Sequence, residues 1–501
     1  MVKELLLCIL AAGLLVLASP GMNIWPLAFV AFALIFWILD RAKAQSKPKL
    51  KQAKAMFLIG FVFYLFTTMW IQVPATVFGG APQAVGLVIV FAVAALSALL
   101  FWMPLGLVAK HTNNSIFLFA LVLVALELLK AKYYLGGVPW LNIGQTQYNN
   151  LLSLQLASII GENGLSFLVV LGGGCLYKLV TVTQKSLWIK LSVAILLLLF
   201  GYGGATLYMD IAITPTSAAT VRLVQTGIAQ QDKWAMEKRQ EVYDTLIAGL
   251  RTAATKDGDY DLLLLPESTF NVNPFTSAEL WPELVAISQD HGVLLSHDRN
   301  LQIGGERTLY NTMSLLANGS VQGVYDKMKL APFGEYFPFE EQLKPIKEFF
   351  FGSGIMFTPG EKPVVFEYND LRIAPLICFE ASFTELIRTR VAMGANVLAV
   401  ASNESWFGES LGRYQRLAMD VLRAAEYNKY LLRSTQDGIS TVIDPQGRLV
   451  TIFPEKVYHV EDIAFAPMNG QTIFARFGYG WFLAAMLGYA VLVVRKRKSG
   501  R

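Results

Sequence analysis

The stretch RIAPLICFE, residues 372–380, is an apolar run that ends in a cysteine and a glutamate. Similar runs recur between residues 215 and 470: TVRLVQT (220–226), DLLLLPE (261–267), GVLLSH (292–297) and NVLAVASN (396–403). Their continuous apolarity is typical of strands buried on both faces. Segments with helical spacing lie between them, at 235–253, 277–290, 383–394 and 410–429. We therefore predict a layered α/β domain of about 250 residues, large enough for a complete core.

The candidate reactive residues lie at the ends of the predicted strands, as is typical of such sheets. Three strands finish in a reactive or charged side chain: Glu267, Cys378 and the pair Asn403 and Glu404. A loop rich in proline and aromatic residues, YDKMKLAPFGEYFPF (325–339), lies between the first two. This loop adds three further charged candidates: Lys327, Lys329 and Glu335.

The chain as a whole is unusually apolar. Of its 501 residues, 54% are hydrophobic and 16% are charged, and the mean hydropathy is +0.45. These values indicate a membrane protein. The net charge of +5 does not indicate nucleic-acid binding, because the lysines and arginines crowd at 41–54 and 495–501, beside apolar segments.

The apolar segments predict eight transmembrane helices. Residues 5–39 carry no charge and are divided at 19–21, and residues 55–109 are divided around 74–82. The fifth and sixth spans, 116–129 and 163–180, are weaker; the seventh and eighth are 191–209 and 477–494. We predict a transmembrane domain of seven helices at 1–212, a catalytic domain at 213–472, and an eighth helix with a basic tail at 473–501. A cleavable signal peptide at 5–18 is the alternative for the first span.

The basic clusters predict the orientation in the membrane. The positive-inside rule places 41–54 and 495–501 in the cytoplasm. The segment 210–476 then lies on the opposite side, which is the periplasmic side of a bacterial inner membrane. The loop 75–83, expected on that same side, contains no lysine or arginine.

A nucleophilic Cys378 requires a base, because an ordinary thiol with a pKa near 8.5 is mostly protonated at neutral pH. The four histidines, His111, His291, His297 and His459, do not mark a strand-end motif with it. A carboxylate in a partly dry pocket can serve instead, and Glu267 is the best-placed candidate. Lys327 suits stabilisation of a developing oxyanion, with the backbone N–H after Cys378 as a second donor.

The order LLLLPES, YDKMKLAPFGEYFP and PLICFE resembles the Glu-Lys-Cys constellation of the nitrilase, or carbon–nitrogen hydrolase, superfamily, which has an α-β-β-α sandwich fold. With eight spans around such a domain, the whole chain resembles the bacterial apolipoprotein N-acyltransferases. The stretches KW (233–234), SNESWFG (402–408), LLRSTQDG (431–438) and PWLNIGQ (139–145) add to the resemblance.

The resemblance implies a role for each matching residue. Glu267 is the general base, Lys327 the oxyanion-stabilising cation and Cys378 the nucleophile. Glu335 is similar to the family's second active-site glutamate. The positions that shape the pocket and hold its loops are Trp234, Phe379 and Glu380. Three residues depart from the family pattern, namely Ala331, Phe379 and Gln436, and none of these removes a reactive atom.

The family chemistry implies two membrane-bound partners and no cofactor. A phospholipid donates an acyl chain to the cysteine as a thioester, and the α-amine of a diacylglyceryl-modified apolipoprotein accepts it as an amide. The sequence has no Gly-rich dinucleotide motif, Walker loop or metal-spaced Cys/His set, so we expect neither cofactor nor metal.

The segment KPIKEFFFGSGIMFTPG (344–360) predicts a lid at the bilayer surface. It places apolar side chains on both sides of a Gly-Ser-Gly hinge, and such loops dip into lipid or close over a site. The residues expected to face lipid are Phe349, Phe350, Phe351, Met356 and Phe357.

Other interpretations stay open at this point. Cys378 alone is more often an inert core residue, Glu267 is consistent with a helix cap, and Lys329 competes with Lys327. Glu335 is also consistent with a structural ion pair, and Glu380 with a loop anchor. The alternative enzyme is a membrane-anchored amidase of nitrilase type. A transporter is disfavoured because it would carry more ionisable groups at mid-span.

Overall fold

The computed structural model describes residues 2–45, 47–111, 115–212, 218–303, 306–342 and 356–498. Helices fill the N-terminal part of the chain: α1 (Val2–Ala18), α2 (Pro26–Lys43), α3 (Pro48–Thr67), α4 (Gln83–Ser97), α5 (Met103–His111), α6 (Ile116–Tyr133), α7 (Leu151–Leu154), α8 (Ala157–Thr181), α9 (Ser186–Leu197) and α10 (Gly204–Ala212). The π-helical turns Ala98–Trp102 and Leu198–Gly203 join α4 to α5 and α9 to α10.

An α/β domain follows the helices. Its strands are β1 (Ala219–Gln225), β2 (Leu262–Leu264), β3 (Gly292–Ile303), β4 (Glu306–Ala317), β5 (Ser320–Asp326), β6 (Phe366–Tyr368), β7 (Leu371–Ile377), β8 (Val397–Ser402), β9 (Leu431–Thr435), β10 (Thr441–Ile443) and β11 (His459–Phe465). Its helices are α11 (Gln230–Trp234), α12 (Arg239–Thr255), α13 (Leu280–Asp290), α14 (Thr384–Ala392) and α15 (Leu411–Tyr427). The chain ends with α16 (Ile473–Phe477) and α17 (Gly480–Lys498).

The strands form two sheets that pack face to face. The first sheet has the order β11-β1-β2-β3-β4-β5 and the second has the order β10-β9-β8-β7-β6. The strands at the centre of each sheet are parallel, β1-β2-β3 in the first and β7-β8-β9 in the second. Apolar side chains of both sheets, such as Leu264 and Met313 from the first and Ile377 and Ala399 from the second, share one buried cluster.

Helices cover the outer face of each sheet. Helices α12 and α13 pack on the first sheet, and α14 and α15 pack on the second. The predicted α-β-β-α sandwich is therefore present. The five predicted strands and the four predicted helices are all found, whereas the hairpin β4–β5 and strands β6, β9, β10 and β11 were not predicted.

Four helices of the described residues are long and apolar enough to cross a membrane: Pro48–Thr67, Gln83–Ala109, Ala157–Thr181 and Ser186–Tyr208. Helices also occupy the other four predicted positions, but each is shorter or more charged. Helix α1 has 17 residues, and α2 and α6 each carry three charged residues. The apolar part of α17 that is described spans only Gly480–Val491.

The segment 139–148 connects the helical part to the sandwich. Its residues are all buried. The Nζ atom of Lys130 donates to the carbonyl of Trp140 at 2.7 Å, and the indole N–H of Trp140 donates to Oε1 of Gln415 on α15 at 2.7 Å. The segment therefore packs against the catalytic domain instead of lying at a surface.

A buried cluster of charged residues also joins the helical part to the catalytic domain, through α8 and α15. Nη2 of Arg423, on α15, lies 2.6 Å from Oε2 of Glu162 on α8, and its Nε lies 3.1 Å from Glu426. The backbone N–H of Glu162 also donates to Glu426 at 2.7 Å. All three side chains are almost completely excluded from solvent, so each charge depends on the others for compensation.

We predict that Arg423→Met lowers the free energy of unfolding by about 3–5 kcal/mol, because it leaves two buried carboxylates without their cation. The matched control is Arg388→Met, which removes an exposed pair with Glu385 and should cost about 1 kcal/mol or less. Thermal unfolding of both variants in detergent provides the comparison. Equal midpoints would contradict the proposed importance of the cluster.

Candidate active site

Three loops bring the predicted catalytic residues together at one edge of the sandwich. Glu267 follows β2, Lys327 follows β5, and Cys378 directly follows β7. The first two strands belong to one sheet and the third belongs to the other. The site therefore lies where the two sheets face each other, and each sheet supplies part of it.

The Glu267 carboxylate is held as a hydrogen-bond acceptor on both oxygens. Its Oε1 accepts from Nδ2 of Asn311 at 2.8 Å and lies 3.4 Å from Nζ of Lys327. Its Oε2 accepts from the backbone N–H of Asn403 at 2.9 Å. Three donors therefore hold the carboxylate in position, with contacts to both of its oxygens.

Lys327 lies between two carboxylates. Its Nζ donates to Oε1 of Glu335 at 2.8 Å in addition to its contact with Glu267. Burial would lower the pKa of Lys327, but Glu335 and Glu267 outweigh that effect and raise the pKa above its ordinary value. Lys327 is therefore a permanent cation and cannot act as the base.

Cys378 differs from the other two cysteines. Cys8 and Cys175 are buried, whereas Cys378 is partly exposed. Its φ of +47° lies in the left-handed region, which is sterically unfavourable for a residue with a Cβ and tends to occur at functional sites. The inert-core interpretation of Cys378 does not agree with this exposure and backbone geometry.

The Cys378 thiol is protonated at rest. Burial and the nearby Glu267 carboxylate raise its pKa to about 12, although Lys327 and Arg416 act in the opposite direction. The thiol form is therefore strongly favoured at pH 7. The proton must be removed during the reaction, so the site needs its own base.

Glu380 anchors the loops of the site. Its Oε1 accepts from the backbone N–H of Met328 at 2.8 Å and of Lys329 at 3.2 Å. Its Oε2 accepts from the backbone N–H of Ile377 at 2.9 Å. One buried carboxylate thus joins the loop after Lys327 to the strand end before Cys378, as the loop-anchor interpretation requires.

Aromatic rings from both parts of the chain lie next to the nucleophile position. Phe379 stacks on Trp140, with ring centroids 6.3 Å apart, and contacts Phe383 edge to face at 5.1 Å. Trp140 in turn lies 5.7 Å from Phe407 and 5.2 Å from Trp70. An apolar wall, to which Trp70 and Trp140 of the N-terminal part contribute, therefore lies beside Phe379, the residue after Cys378.

The structure describes some of the other predicted site residues and not others. Glu335 accepts from Lys327, from Asn311 and from the backbone N–H of Ala331, so it is an ion-pair partner at the site. Trp234 ends α11. The backbone N–H of Phe357 donates to the Glu335 carbonyl at 3.0 Å, and Met356 is half-buried. The lid residues Phe349, Phe350 and Phe351 lie outside the described residues.

The structure decides two alternatives that the sequence left open: a helix-cap role for Glu267, and Lys329 in place of Lys327. The helix-cap interpretation of Glu267 is wrong, because the next helix in the described chain begins at Leu280. Lys329 is exposed, with Nζ 5.6 Å from the centre of the Phe383 ring, whereas Lys327 contacts both glutamates. The lysine of the site is therefore Lys327.

Sequence reasoning missed two residues that shape the site. Asn311, in the middle of β4, donates to both Glu267 and Glu335 from one amide nitrogen. Arg416, on α15, donates to the carbonyl of Cys378 at 2.6 Å. Asn311 gave a weak signal, as a polar residue in the run TLYNTMSLLA, and Arg416 gave none because its contact is 38 residues distant.

Comparisons with known proteins cover the whole chain. Residues 11–175 match the family model of the apolipoprotein N-acyltransferase N-terminal domain, and residues 220–460 match that of the carbon-nitrogen hydrolases. The apolipoprotein N-acyltransferase of Geobacter metallireducens is 30% identical over 521 residues, which span 99% of this chain and 96% of the relative. The chain belongs to the apolipoprotein N-acyltransferase family.

A second relative agrees with this assignment. The apolipoprotein N-acyltransferase of Haemophilus influenzae is 28% identical and covers 98% of this chain and 95% of its own. Among solved structures, Nit3 of Saccharomyces cerevisiae, a nitrilase superfamily member, is 18% identical with a TM-score of 0.38, covering 50% of this chain and 92% of its own. The resemblance found in the sequence is confirmed, and this member of the apolipoprotein N-acyltransferase family is an acyltransferase with a carbon–nitrogen hydrolase domain.

We predict that alkylation of Cys378 by iodoacetamide accelerates about tenfold per pH unit between pH 7 and 10 without reaching a plateau, since only the thiolate reacts. The pKa of about 12 is the reason. Mass spectrometry of the labelled peptide measures the rate, and Cys378→Ser is the control for labelling elsewhere. A plateau near pH 8 would mean that the site holds a preformed thiolate, contrary to this description.

Proposed function

We propose that the chain transfers an acyl chain from a phospholipid to the N-terminal amine of a diacylglyceryl-cysteine apolipoprotein, through a thioester on Cys378. This reaction is the last step of lipoprotein maturation. The observation that supports it most is the arrangement of Glu267, Lys327 and Cys378 at one edge of the sandwich, beside an apolar wall that includes Trp140. Similarity along nearly the full length of named acyltransferases adds to that support.

The first half-reaction loads the cysteine. Glu267 takes the proton from Sγ as the sulfur attacks the ester carbonyl of the phospholipid. The carbonyl oxygen becomes an oxyanion, and the Lys327 ammonium and the backbone N–H of Phe379 stabilise it. When the ester C–O bond breaks, Glu267 returns the proton to the departing alkoxide. The products are a thioester on Cys378 and a lysophospholipid.

The second half-reaction transfers the acyl group from Cys378 to the amine. The neutral α-amine of the apolipoprotein attacks the thioester carbonyl, and Glu267 accepts a proton from the attacking nitrogen. The C–S bond breaks as the oxyanion collapses, and the thiolate of Cys378 regains its proton from Glu267. An amide is formed and the enzyme returns to its starting state. Throughout, Glu335 keeps Lys327 charged and in place.

Both substrates are anchored in a bilayer, which accounts for a hydrolase-like domain joined to membrane helices. We propose eight membrane spans, with 1–212 and 473–501 forming the membrane part. We also propose that the catalytic domain, 213–472, faces the periplasmic side of a bacterial inner membrane. The basic clusters at 41–54 and 495–501 support this orientation. The segment 344–360 is proposed as a lid that keeps water from the thioester.

Mass spectrometry of the purified protein incubated with phospholipid vesicles tests the proposal. We expect an acyl mass on the Cys378 peptide in the wild type, and none in Cys378→Ser. Addition of a diacylglyceryl lipopeptide should remove that mass and yield an acylated amine.

Two outcomes would contradict the proposed function. Release of free fatty acid with no acylated lipopeptide would indicate a membrane-anchored amidase or hydrolase. An acyl mass that persists in Cys378→Ser would exclude Cys378 as the carrier. Replacement of Phe357 and Met356 by serine tests the lid at its described end. The readouts are the same two: the acyl mass on Cys378 and the acylated lipopeptide amine.

A further inference from the structure

We propose that Arg416 is a positioning residue for the nucleophile, holding the backbone of Cys378 in its left-handed conformation and presenting a fixed positive charge to its sulfur. This inference rests on the proposed role of Cys378 as the acyl carrier. It assigns a function to a buried arginine that lies on a different element from the Glu267, Lys327 and Cys378 loops.

The contact of Arg416 is with the strained residue itself. Its Nη2 donates to the carbonyl oxygen of Cys378 at 2.6 Å, and Cys378 has a φ of +47°. A left-handed backbone persists only when its surroundings stabilise it against the relaxed alternative. A short, charge-assisted hydrogen bond to the carbonyl of that residue provides such stabilisation.

Arg416 is itself fixed by a buried chain of charges. Its Nη1 donates to Oδ1 of Asp420 at 2.7 Å, and Oδ2 of Asp420 accepts from Nε of Arg433 at 2.8 Å. Arg433 also contacts Glu404. The side chains of all four residues are fully excluded from solvent. Two cations alternate with two anions, so Arg416 has little freedom to leave Cys378.

Three charged groups from three different elements influence the Cys378 thiol electrostatically: Glu267 after β2, Lys327 after β5 and Arg416 on α15. Burial is the largest influence on the pKa of the thiol and raises it, and Glu267 raises it further. Arg416 and Lys327 lower it. Arg416 thus makes removal of the proton by Glu267 easier.

The residue before Arg416 connects this geometry to the membrane helices. Oε1 of Gln415 accepts from the indole N–H groups of Trp140 at 2.7 Å and Trp70 at 3.1 Å. Its Nε2 donates to the carbonyl of Thr67, at the end of α3, at 2.9 Å. The turn of α15 that positions Cys378 is therefore itself positioned by the membrane part of the chain.

The test compares Arg416→Gln, Arg416→Lys and the control Arg413→Lys in the full-length protein in detergent. Arg413 is a buried arginine on the same helix, and it pairs with Asp437 and Glu455. We expect the alkylation profile of Cys378 against pH in Arg416→Gln to move upward by about one unit, so that alkylation at a given pH slows about tenfold. Arg416→Lys keeps a charge, so its profile should move less, while thioester formation from phospholipid slows. Arg413→Lys is expected to lower thermal stability without moving the profile.

An unchanged alkylation profile in both Arg416 variants would overturn the inference, even if their thermal stability fell, because a purely structural arginine would behave in that way. If Arg416→Gln does not fold, Arg416→Lys carries the test alone, with slowed thioester formation in folded protein as the expected result and a wild-type rate as the contrary one. Absence of any acyl mass on wild-type Cys378 would instead refute the proposed function, so the two failures are distinguishable.

Discussion

The pairing of one buried lysine with two carboxylates is the interaction on which the site depends. Without Glu267 and Glu335, burial would favour a neutral Lys327, and without Lys327 the two carboxylates would repel each other across a dry site. Asn311 contacts both carboxylates and holds the arrangement in register, because its carbonyl accepts from the backbone N–H of Lys327 at 2.8 Å. The result places the Glu267 carboxylate beside a lysine whose pKa is raised by its two carboxylate neighbours.

The sequence was sufficient to nominate Glu267, Lys327 and Cys378 as candidates, because each follows a continuous apolar strand or belongs to an ordered motif. Their contacts across the two sheets could not be predicted. The sandwich brings Glu267 and Cys378 to the same edge only because β2 and β7 lie in facing sheets. Asn311 acts through strand register, and Arg416 acts through the packing of a helix on the second sheet. Neither kind of contact leaves a periodic signal along the chain.

The N-terminal helices pack closely against the catalytic domain. Hydropathy predicted their positions, but segment 139–148 was not expected to be buried against the catalytic domain. Trp140 stacks on Phe379, the residue after the nucleophile, and also donates to Gln415, the residue before Arg416. Two separate routes thus join the membrane part to Cys378. A catalytic domain of this kind, separated from its helices, would lose the contacts that shape its own site.

The central claim is that Glu267 removes the proton of Cys378 as the thioester forms. Quenched-flow measurement of single-turnover thioester formation in Glu267→Gln tests it most directly, with Glu283→Gln, a change at the surface pair with Arg251, as the control. The account predicts a rate reduced by about 10²–10⁴-fold in Glu267→Gln and a normal rate in the control. Thioester formation at the wild-type rate without the Glu267 carboxylate would contradict it.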